Sequence, residues 1–210
     1  LLMSAAACFS GMVTAQTTLR CYTDEVHTKL RQINPDVTLY EQQLQQDIQQ
    51  KLKEMDIRRF ARSTADDEVY HIPVVFHIIH DYGNEYIPDD TVFNELVRIN
   101  RMYNRENADT AEVIPQYRGN IPGTNIRYIG KANIRFHLAT KDPSGNPTRG
   151  ITRRRSYLTT NASDQSKFDL WPPDSYLNIW VVNGFPSTSS AAAYALKPAG
   201  AAAFPYYDGV

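Results

Sequence analysis

Histidine and cysteine are the residues of this sequence best suited to binding a metal or moving a proton near neutral pH. The chain has five histidines, namely His27, His71, His77, His80 and His137. No pair has the four-residue spacing of HExxH, in which one helix face presents two imidazoles to zinc. His71 and His77 share a face of a predicted strand but lie about 20 Å apart along it, too far for one zinc. His77 and His80 point to opposite faces. We therefore expect ordinary structural histidines of a sheet.

The two cysteines are Cys8 and Cys21. Cys8 lies within residues 1–15, an uncharged, apolar stretch that ends in small residues and predicts a signal peptide cleaved before Gln16. The rival interpretation is a lipoprotein signal with Cys8 as the acylated residue. After cleavage Cys21 is the remaining thiol, and Arg20 beside it favours the thiolate, a strong zinc ligand. It could hold the zinc of a latent enzyme, form a disulfide or have no special role.

Composition excludes several classes of function. Lysine and arginine number 22 and aspartate and glutamate 23, so the net charge is −1. This balance gives no general reason to bind nucleic acid or an anionic membrane. Hydrophobic residues make up 42% of the chain and charged residues 21%, which is typical of a globular protein. Beyond the N-terminus no apolar stretch is long enough to predict a membrane span.

A polar, helical region precedes the main domain. Thr38 and Glu41 fit a capping box at a helix start, and an apolar stripe follows at helical spacing: Leu44, Ile48, Leu52 and Met55. The helix is either a separate pro-segment lying on the main domain or a surface helix of that domain. Residues 58–68 form a polar linker with basic residues first, which we expect to be accessible to proteases.

The main domain begins at Tyr70 and reads as alternating strands and helix. Residues 72–79 are apolar on both faces and predict a central strand. A helix with an aspartate N-cap follows at residues 88–90, with a predicted buried stripe of Phe93, Leu96, Ile99, Met102 and Tyr103. Residues 133–140 alternate and residues 176–182 are mostly apolar, so both predict strands. We expect a further strand to begin at residues 207–210. This order of elements is typical of an open α/β sheet.

Three ordered blocks of this domain resemble one known family. They are residues 71–79 (HIPVVFHII), 142–153 (DPSGNPTRGITR) and 171–181 (WPPDSYLNIWV). The chain from about residue 70 to 210 resembles the N-terminal catalytic subdomain of the pappalysin (cytophagalysin) family of secreted metzincin zinc proteases. The resemblance implies an open twisted mixed sheet with an antiparallel edge strand and a backing helix, preceded by a helical pro-segment. It divides the chain into a signal peptide (1–15), a pro-segment with activation linker (16–69) and an incomplete catalytic part (70–210).

The resemblance also implies roles for particular residues. Residues 20–23 (RCYT) resemble the Arg-Cys-x-Thr segment that keeps the zinc of the family's zymogens inaccessible, with Tyr22 where glycine is frequent. Cys21 would then be the latency ligand. Ala193, Tyr194 and Ala195 resemble a Gly-Tyr-Ala-like edge strand, to which an extended substrate adds by backbone hydrogen bonds. A plain edge strand is the alternative. Arg59 and Arg62 would suit activation cleavage.

For the parent protein the resemblance implies a secreted zinc endopeptidase that acts on proteins or peptides and is made as an inactive zymogen. The elongated zinc motif HExxHxxGxxH would follow this sequence, which we expect to be truncated at both ends, so the piece itself would be inactive. Calcium is a further ion that the resemblance leaves open. Two other classes also stay open: a secreted non-catalytic binding module, such as a degenerate homologue, and a segment that acts only as inhibitor or folding chaperone.

Overall fold

The computed structural model describes residues 20–54, 69–120, 127–186 and 191–210. The first range holds a short strand β1 (Arg20–Cys21) and two helices, α1 (Thr23–Ile33) and α2 (Asp36–Glu54). The predicted signal peptide, the end of the helical stripe at Met55 and the linker with Arg59 and Arg62 lie outside the described residues. None of the described helices is long and apolar enough to cross a membrane.

The predicted capping box at Thr38 is wrong, because α2 begins two residues earlier, at Asp36. The Asn34 side chain accepts a hydrogen bond from the Asp36 backbone N–H at 3.0 Å and so satisfies one of the free amides at the helix start. Glu41 does not reach back along its own helix. Its carboxylate accepts a hydrogen bond from Arg31 of α1 at 2.9 Å and so links the two helices.

The centre of the molecule is the long strand β2 (Tyr70–His80), whose last seven residues are all buried. A helix, α3 (Asp89–Tyr103), follows it, and a two-stranded antiparallel ribbon of β3 (Gly119–Asn120) and β4 (Arg127–Tyr128) comes next. Three more strands complete the main sheet, and all pair with β2 in parallel: β5 (Ile134–Leu138), β6 (Ile151–Arg155) and β7 (Leu177–Val181).

The register shows how these strands share β2. Strand β5 pairs with residues 70–74, β6 with residues 76–80, and β7 with residues 74–78. A residue of β2 can hold one neighbouring strand on each side, so β7 occupies one edge while β5 and β6 lie end to end along the other. Gly150 lies where they meet, with a φ of +67° that favours glycine. A Cβ there would lie 2.7 Å from the backbone nitrogen of Ala139.

Helix α3 covers one face of the sheet. Val92 and Leu96 are buried against Val74, Phe76, Ile78 and Phe136. The predicted stripe was right for Leu96 and for the partly buried Ile99, but wrong for Phe93, Met102 and Tyr103, which are 37%, 52% and 44% exposed. The helix presents Val92 where the prediction had Phe93.

The predicted aspartate N-cap of this helix is also wrong, because the N-cap position is Pro88 and no side chain caps the helix. Asp89 is the first helical residue. It forms ion pairs with Arg149 and Arg153 at 3.0 and 2.5 Å, so the carboxylate near the helix N-terminus links α3 to β6.

The opposite face of the sheet contains polar groups within an aromatic cluster. Val75, Ala139 and Trp171 form an apolar cluster there. His77 is fully buried, and its two ring nitrogens lie 2.8 Å from Thr152 Oγ1 and 2.9 Å from Asn178 Oδ1. His77 is thus a structural histidine of the sheet, as expected. The same expectation was wrong for His27, which lies in helix α1.

The described chain ends with a short strand β8 (Ala191–Ala193) and a short helix α4 (Pro198–Ala203). Residues 207–210 do not form the predicted strand. Val210 alone pairs with β7, donating to Asn178 O at 3.0 Å and accepting from Trp180 N at 2.8 Å. The open, parallel-dominated sheet with its backing helix confirms the predicted fold class. The described strands of the main sheet all pair in parallel, so the predicted antiparallel edge strand is not among them. Among the described strands, β8 pairs with β1 and not with the main sheet.

Candidate functional site

Two segments assigned separate roles in the sequence lie side by side in the structure. Strand β1 pairs in parallel with β8, with Arg20 opposite Ala191 and Cys21 opposite Ala193. The Tyr22 backbone N–H donates to Ala193 O at 2.8 Å. Cys21, the predicted latency ligand, therefore lies directly beside β8, the strand predicted to bind substrate.

Thr23 completes this contact with its side chain. Its Oγ1 accepts a hydrogen bond from the Ala195 backbone N–H at 3.0 Å and lies 3.3 Å from Cys21 Sγ. The Cys21 thiol donates to this hydroxyl, and once the sulfur is ionised it can accept the Thr23 O–H, because the Ala195 amide uses only a lone pair of the oxygen. The hydrogen bonds of the Thr23 side chain and backbone lower the pKa of the exposed Cys21 thiol. The segment thus presents a sulfur with increased thiolate character at the protein surface.

The Tyr194 side chain, directly after β8, fixes the end of that strand. Its hydroxyl donates to Asp164 Oδ1 at 2.8 Å, and burial, followed by the charge of Asp164, raises the pKa of that phenol. Lys167 lies against the same ring, with its Nζ 4.7 Å from the ring centroid and 3.3 Å from Asp164 Oδ1. The Lys167 side chain is 5% exposed and donates to Tyr207 O at 2.7 Å. Tyr194 therefore ties the strand to the segment that contains Asp164 and Lys167.

Sequence reasoning missed Asp164 and Lys167. The run from Ser163 to Ser166 is a capping box that could have predicted a helical turn there. No local pattern connects that turn with Tyr194, which follows it by 30 residues and meets it only through the fold. A cavity of about 240 Å³ lies beside these residues and is lined in part by Ala193 and Trp180.

The helices that follow β1 pack on the residues that follow β8. Leu30 of α1 and Val37 of α2 form a buried cluster with Leu196. Asp24 forms an exposed ion pair with the Lys197 ammonium, and His27 is fully buried. Residues 20–54 therefore contact residues 191–203 through a strand, an apolar cluster and polar groups in succession.

No group of three or more His, Cys, Asp or Glu residues able to hold a metal ion occurs in the parts of the chain that the structure describes. Cys21 could supply one sulfur ligand at the surface, to an ion held mainly by other residues. His71 and His137 do come near each other, with ring centroids 6.0 Å apart, but no acidic residue or cysteine completes a site with them among the described residues.

The open α/β sheet is consistent with a metzincin-like subdomain, and a segment that precedes it in the sequence pairs with β8. Comparison with solved structures gives the particular neighbours, which are metalloproteases. The chain is 32% identical to mature mirolysin of Tannerella forsythia in complex with a cleaved peptide, with a TM-score of 0.58 over 69% of this chain and 52% of that chain. It is 26% identical to a single-substitution variant of promirolysin from the same organism, with a TM-score of 0.59 over 87% of this chain and 55% of that chain.

A third structure, mirolysin in complex with a compound, is 31% identical, with a TM-score of 0.56 over 68% of this chain and 52% of that chain. The chain thus spans about half the length of the structures it matches. No protein-family model matches the chain, and the comparison with curated proteins gives no match.

Proposed function

We propose that this chain is the N-terminal part of a secreted zinc endopeptidase of the pappalysin family, in which residues 16–69 are a pro-segment that keeps the enzyme latent. The observation that carries the proposal is the pairing of β1 with β8, in which Cys21 lies opposite Ala193. The proposal assigns residues 1–15 to a signal peptide and residues 70–210 to the catalytic part.

The extent of the two structural matches supports this division. Residues 70–210 make up about two thirds of the chain, close to the 69% that matches mature mirolysin. The match to promirolysin extends to 87% of the chain. The additional coverage in the pro-form is what a pro-segment before residue 70 would give.

The backbone contacts support a latent state. An extended peptide binds an edge strand through the free N–H and C=O groups of that strand. In β8 and the residues after it, Ala193 O accepts from Tyr22 N and Ala195 N donates to Thr23 Oγ1. Two groups that a substrate would use are thus already paired with the pro-segment. Substrate and pro-segment would compete for one edge, so binding of a protein or peptide substrate requires residues 20–23 to leave.

Cys21 fits the role of a zinc ligand in the latent state. Its sulfur is exposed, and Thr23 stabilises the thiolate, the form that binds zinc at about 2.3 Å. The remaining ligands would come from residues that this sequence does not contain. Zinc, when bound, polarises a carbonyl and activates water for hydrolysis. In this chain, residues 70–210 hold β8 in position. Residues 20–23 cover β8 until the pro-segment is removed. Calcium is a further ion to test.

The proposal predicts that Cys21→Ala in the full-length protein shortens the delay before the zymogen matures, because the thiolate no longer occupies a ligand position. Maturation is followed by gel electrophoresis and by hydrolysis of a fluorogenic peptide. Thr28→Ala, on the exposed side of α1, is the control and should mature at the wild-type rate. X-ray absorption at the zinc edge should show a sulfur ligand that the Cys21→Ala protein lacks.

Mass mapping of the mature N-terminus in the same samples tests the activation linker. We expect an end within residues 59–69, after Arg59 or Arg62. A Cys21→Ala zymogen that matures at the wild-type rate and has the same zinc spectrum would refute the role of Cys21. A purified full-length protein without peptidase activity, after the pro-segment is cut off, would refute the enzyme itself.

A further inference from the structure

His27 is a fully buried ionisable residue of α1 at the contact between the pro-segment and the catalytic part. Its Nε2 lies 2.6 Å from the Lys197 backbone nitrogen and accepts a hydrogen bond from that N–H. Because a backbone amide can only donate, Nε2 must carry a lone pair. The imidazole is therefore neutral, with its proton on Nδ1.

The other ring nitrogen has no hydrogen-bond partner and is buried. The nearest acidic atom is Glu41 Oε1 of α2, at 3.6 Å from Nδ1. Glu41 already accepts two hydrogen bonds from Arg31, at 2.9 and 3.2 Å. Glu41 thus favours the charged imidazolium only weakly. It lies on the Nδ1 side of the ring and cannot accept a hydrogen bond from a proton on Nε2.

The His27 ring packs closely on the residues that follow Lys197. It lies on the backbone of α4, where a Cβ on Gly200 would be 2.8 Å from His27 Cε1 and 2.9 Å from Nε2. Helix α4 has the sequence PAGAAA and brings no charge to the contact. The charged groups that face the ring are Asp24 and Arg31 of α1, Glu41 of α2 and the Lys197 ammonium.

We propose that His27 is a proton sensor of pro-segment docking: a proton on Nε2 breaks the hydrogen bond to Lys197 and releases helices α1 and α2 from α4. This inference rests on the proposed role of residues 16–69 as a pro-segment. A protonated Nε2 would point its hydrogen at the Lys197 N–H across 2.6 Å. Two donors cannot face each other at that distance, so the helix must move or the proton must leave.

The direction of the pH effect follows from the burial of the ring. Burial lowers the pKa of docked His27, and the Lys197 charge adds to this, whereas Glu41 acts in the opposite sense. The undocked residue titrates near its ordinary value of about 6.5. Docking is therefore at full strength above about pH 6.5. Below that pH the undocked state holds more protons, and docking weakens by up to about tenfold per pH unit until the docked pKa is reached.

The test is amide hydrogen exchange of α1 between pH 5 and 8, in full-length zymogen made inactive by a substitution in the catalytic motif. Rates are corrected for the intrinsic effect of pH and compared with those of β2. We expect the protection of α1 relative to β2 to fall by several-fold from pH 7 to pH 5.5. His27→Gln can accept the Lys197 N–H without titrating and should abolish this fall. His137→Gln, an exposed residue of β5, should keep it.

Protection of α1 that does not change with pH in the wild type, or the same change in His27→Gln, would overturn the inference. If His27→Gln does not dock, ring nitrogen NMR of the wild type decides. The inference requires the tautomer with a bare Nε2 and a His27 titration below pH 6.5 that coincides with the loss of α1 protection. A proton on Nε2 at neutral pH contradicts it. Exchange reports docking without any hydrolysis, so a protein with this pH response and no peptidase activity would refute only the proposed enzyme.

Discussion

The main sheet and the contact between residues 20–54 and residues 191–203, the proposed pro-segment contact, are held together in different ways. In the sheet, seven consecutive residues of β2 are buried, and strands pair with both of its edges. In the contact, the buried apolar cluster consists of Leu30, Val37 and Leu196, and the strand pairing extends over two residues of β1. Polar groups then complete the contact. We therefore expect the contact to open at a lower free energy than the sheet, because regions with few buried contacts do so.

The two regions also differ in what acid does to them. We proposed above that docking requires a neutral His27, whose Nε2 accepts the Lys197 N–H. At the carboxyl end of β2, Glu85 is buried and needs to stay charged. Under this proposal, protonation weakens the pro-segment contact below about pH 6.5 and the sheet only at much lower pH. Mild acid should separate the parts without unfolding the catalytic one.

The largest effect is expected from Ile78→Ala in the centre of the sheet. Ile78 is fully buried between the α3 face and the neighbouring strands, so its truncation leaves a cavity and should lower the free energy of unfolding by about 2–5 kcal/mol. Urea denaturation followed by tryptophan fluorescence measures the change. Val97→Ala on the exposed side of α3 is the control, with about 0.5 kcal/mol or less expected. Equal effects of the two substitutions would contradict the assigned core.

A smaller and local effect is expected from Gly200→Ala. The new Cβ would meet the His27 ring at 2.8 Å, and such overpacking costs about 1–3 kcal/mol. Limited proteolysis and hydrogen exchange should show α1 and α2 released while β2 stays protected. Gly184→Ala, where a Cβ meets no atom within 4 Å, is the matched control and should leave docking unchanged. Loss of β2 protection in Gly200→Ala would show that the two regions are not separable.

The sharpest separation of the two acid responses concerns Glu85. Burial opposes its ionisation, but hydrogen bonds from Asn183 Nδ2 and from the N–H groups of Asp81 and Gly83 prevail and lower its pKa to about 2. A lowered pKa stabilises the fold above the unfolded value of about 4.5, and this contribution is lost as the pH falls toward 2.

Glu85→Gln should remove that pH dependence and reduce stability modestly at pH 7. The measurement is the thermal midpoint of the mature catalytic part between pH 2 and 7. Glu95→Gln is the control, since Glu95 pairs with Arg98 on the surface of α3 and contributes little. If the thermal midpoint of Glu85→Gln changes with pH in the same way as that of the wild type, Glu85 does not stabilise this end of the sheet.

Within the main sheet, the sequence predicted the strands that have an apolar or alternating pattern of their own and missed β6, which depends on its neighbours. Residues 72–79 and 176–182 are apolar runs, and both lie largely within strands of the sheet. Strand β6 reads Ile-Thr-Arg-Arg-Arg and has no apolar pattern. It forms because β2 offers an unpaired edge and because its arginines lie over aromatic rings, such as Arg154 at 4.4 Å from the Phe168 ring centroid.

The site shows the same division. The resemblance indicated separate roles for Cys21 and for residues 193–195. Nothing in their spacing predicted that the two segments would pair. His27 was set aside as a structural residue because its importance depends on a backbone amide 170 positions away. A helix start at Asp36 was missed by two residues because Thr38 and Glu41 fit a local pattern as well. Local patterns find elements, and tertiary contacts decide which side chains matter.

The junction at Gly150, where β5 and β6 meet along one edge of β2, has a practical consequence. The chain between these strands leaves the sheet and returns to the same edge, so its outermost turn takes no part in the ladder. Within that turn Asp142 accepts hydrogen bonds from the backbones of Ser144 and Asn146, and both of these residues are exposed. A peptide epitope or a fluorophore-accepting sequence inserted there would label the protein and leave β5 and β6 paired with β2.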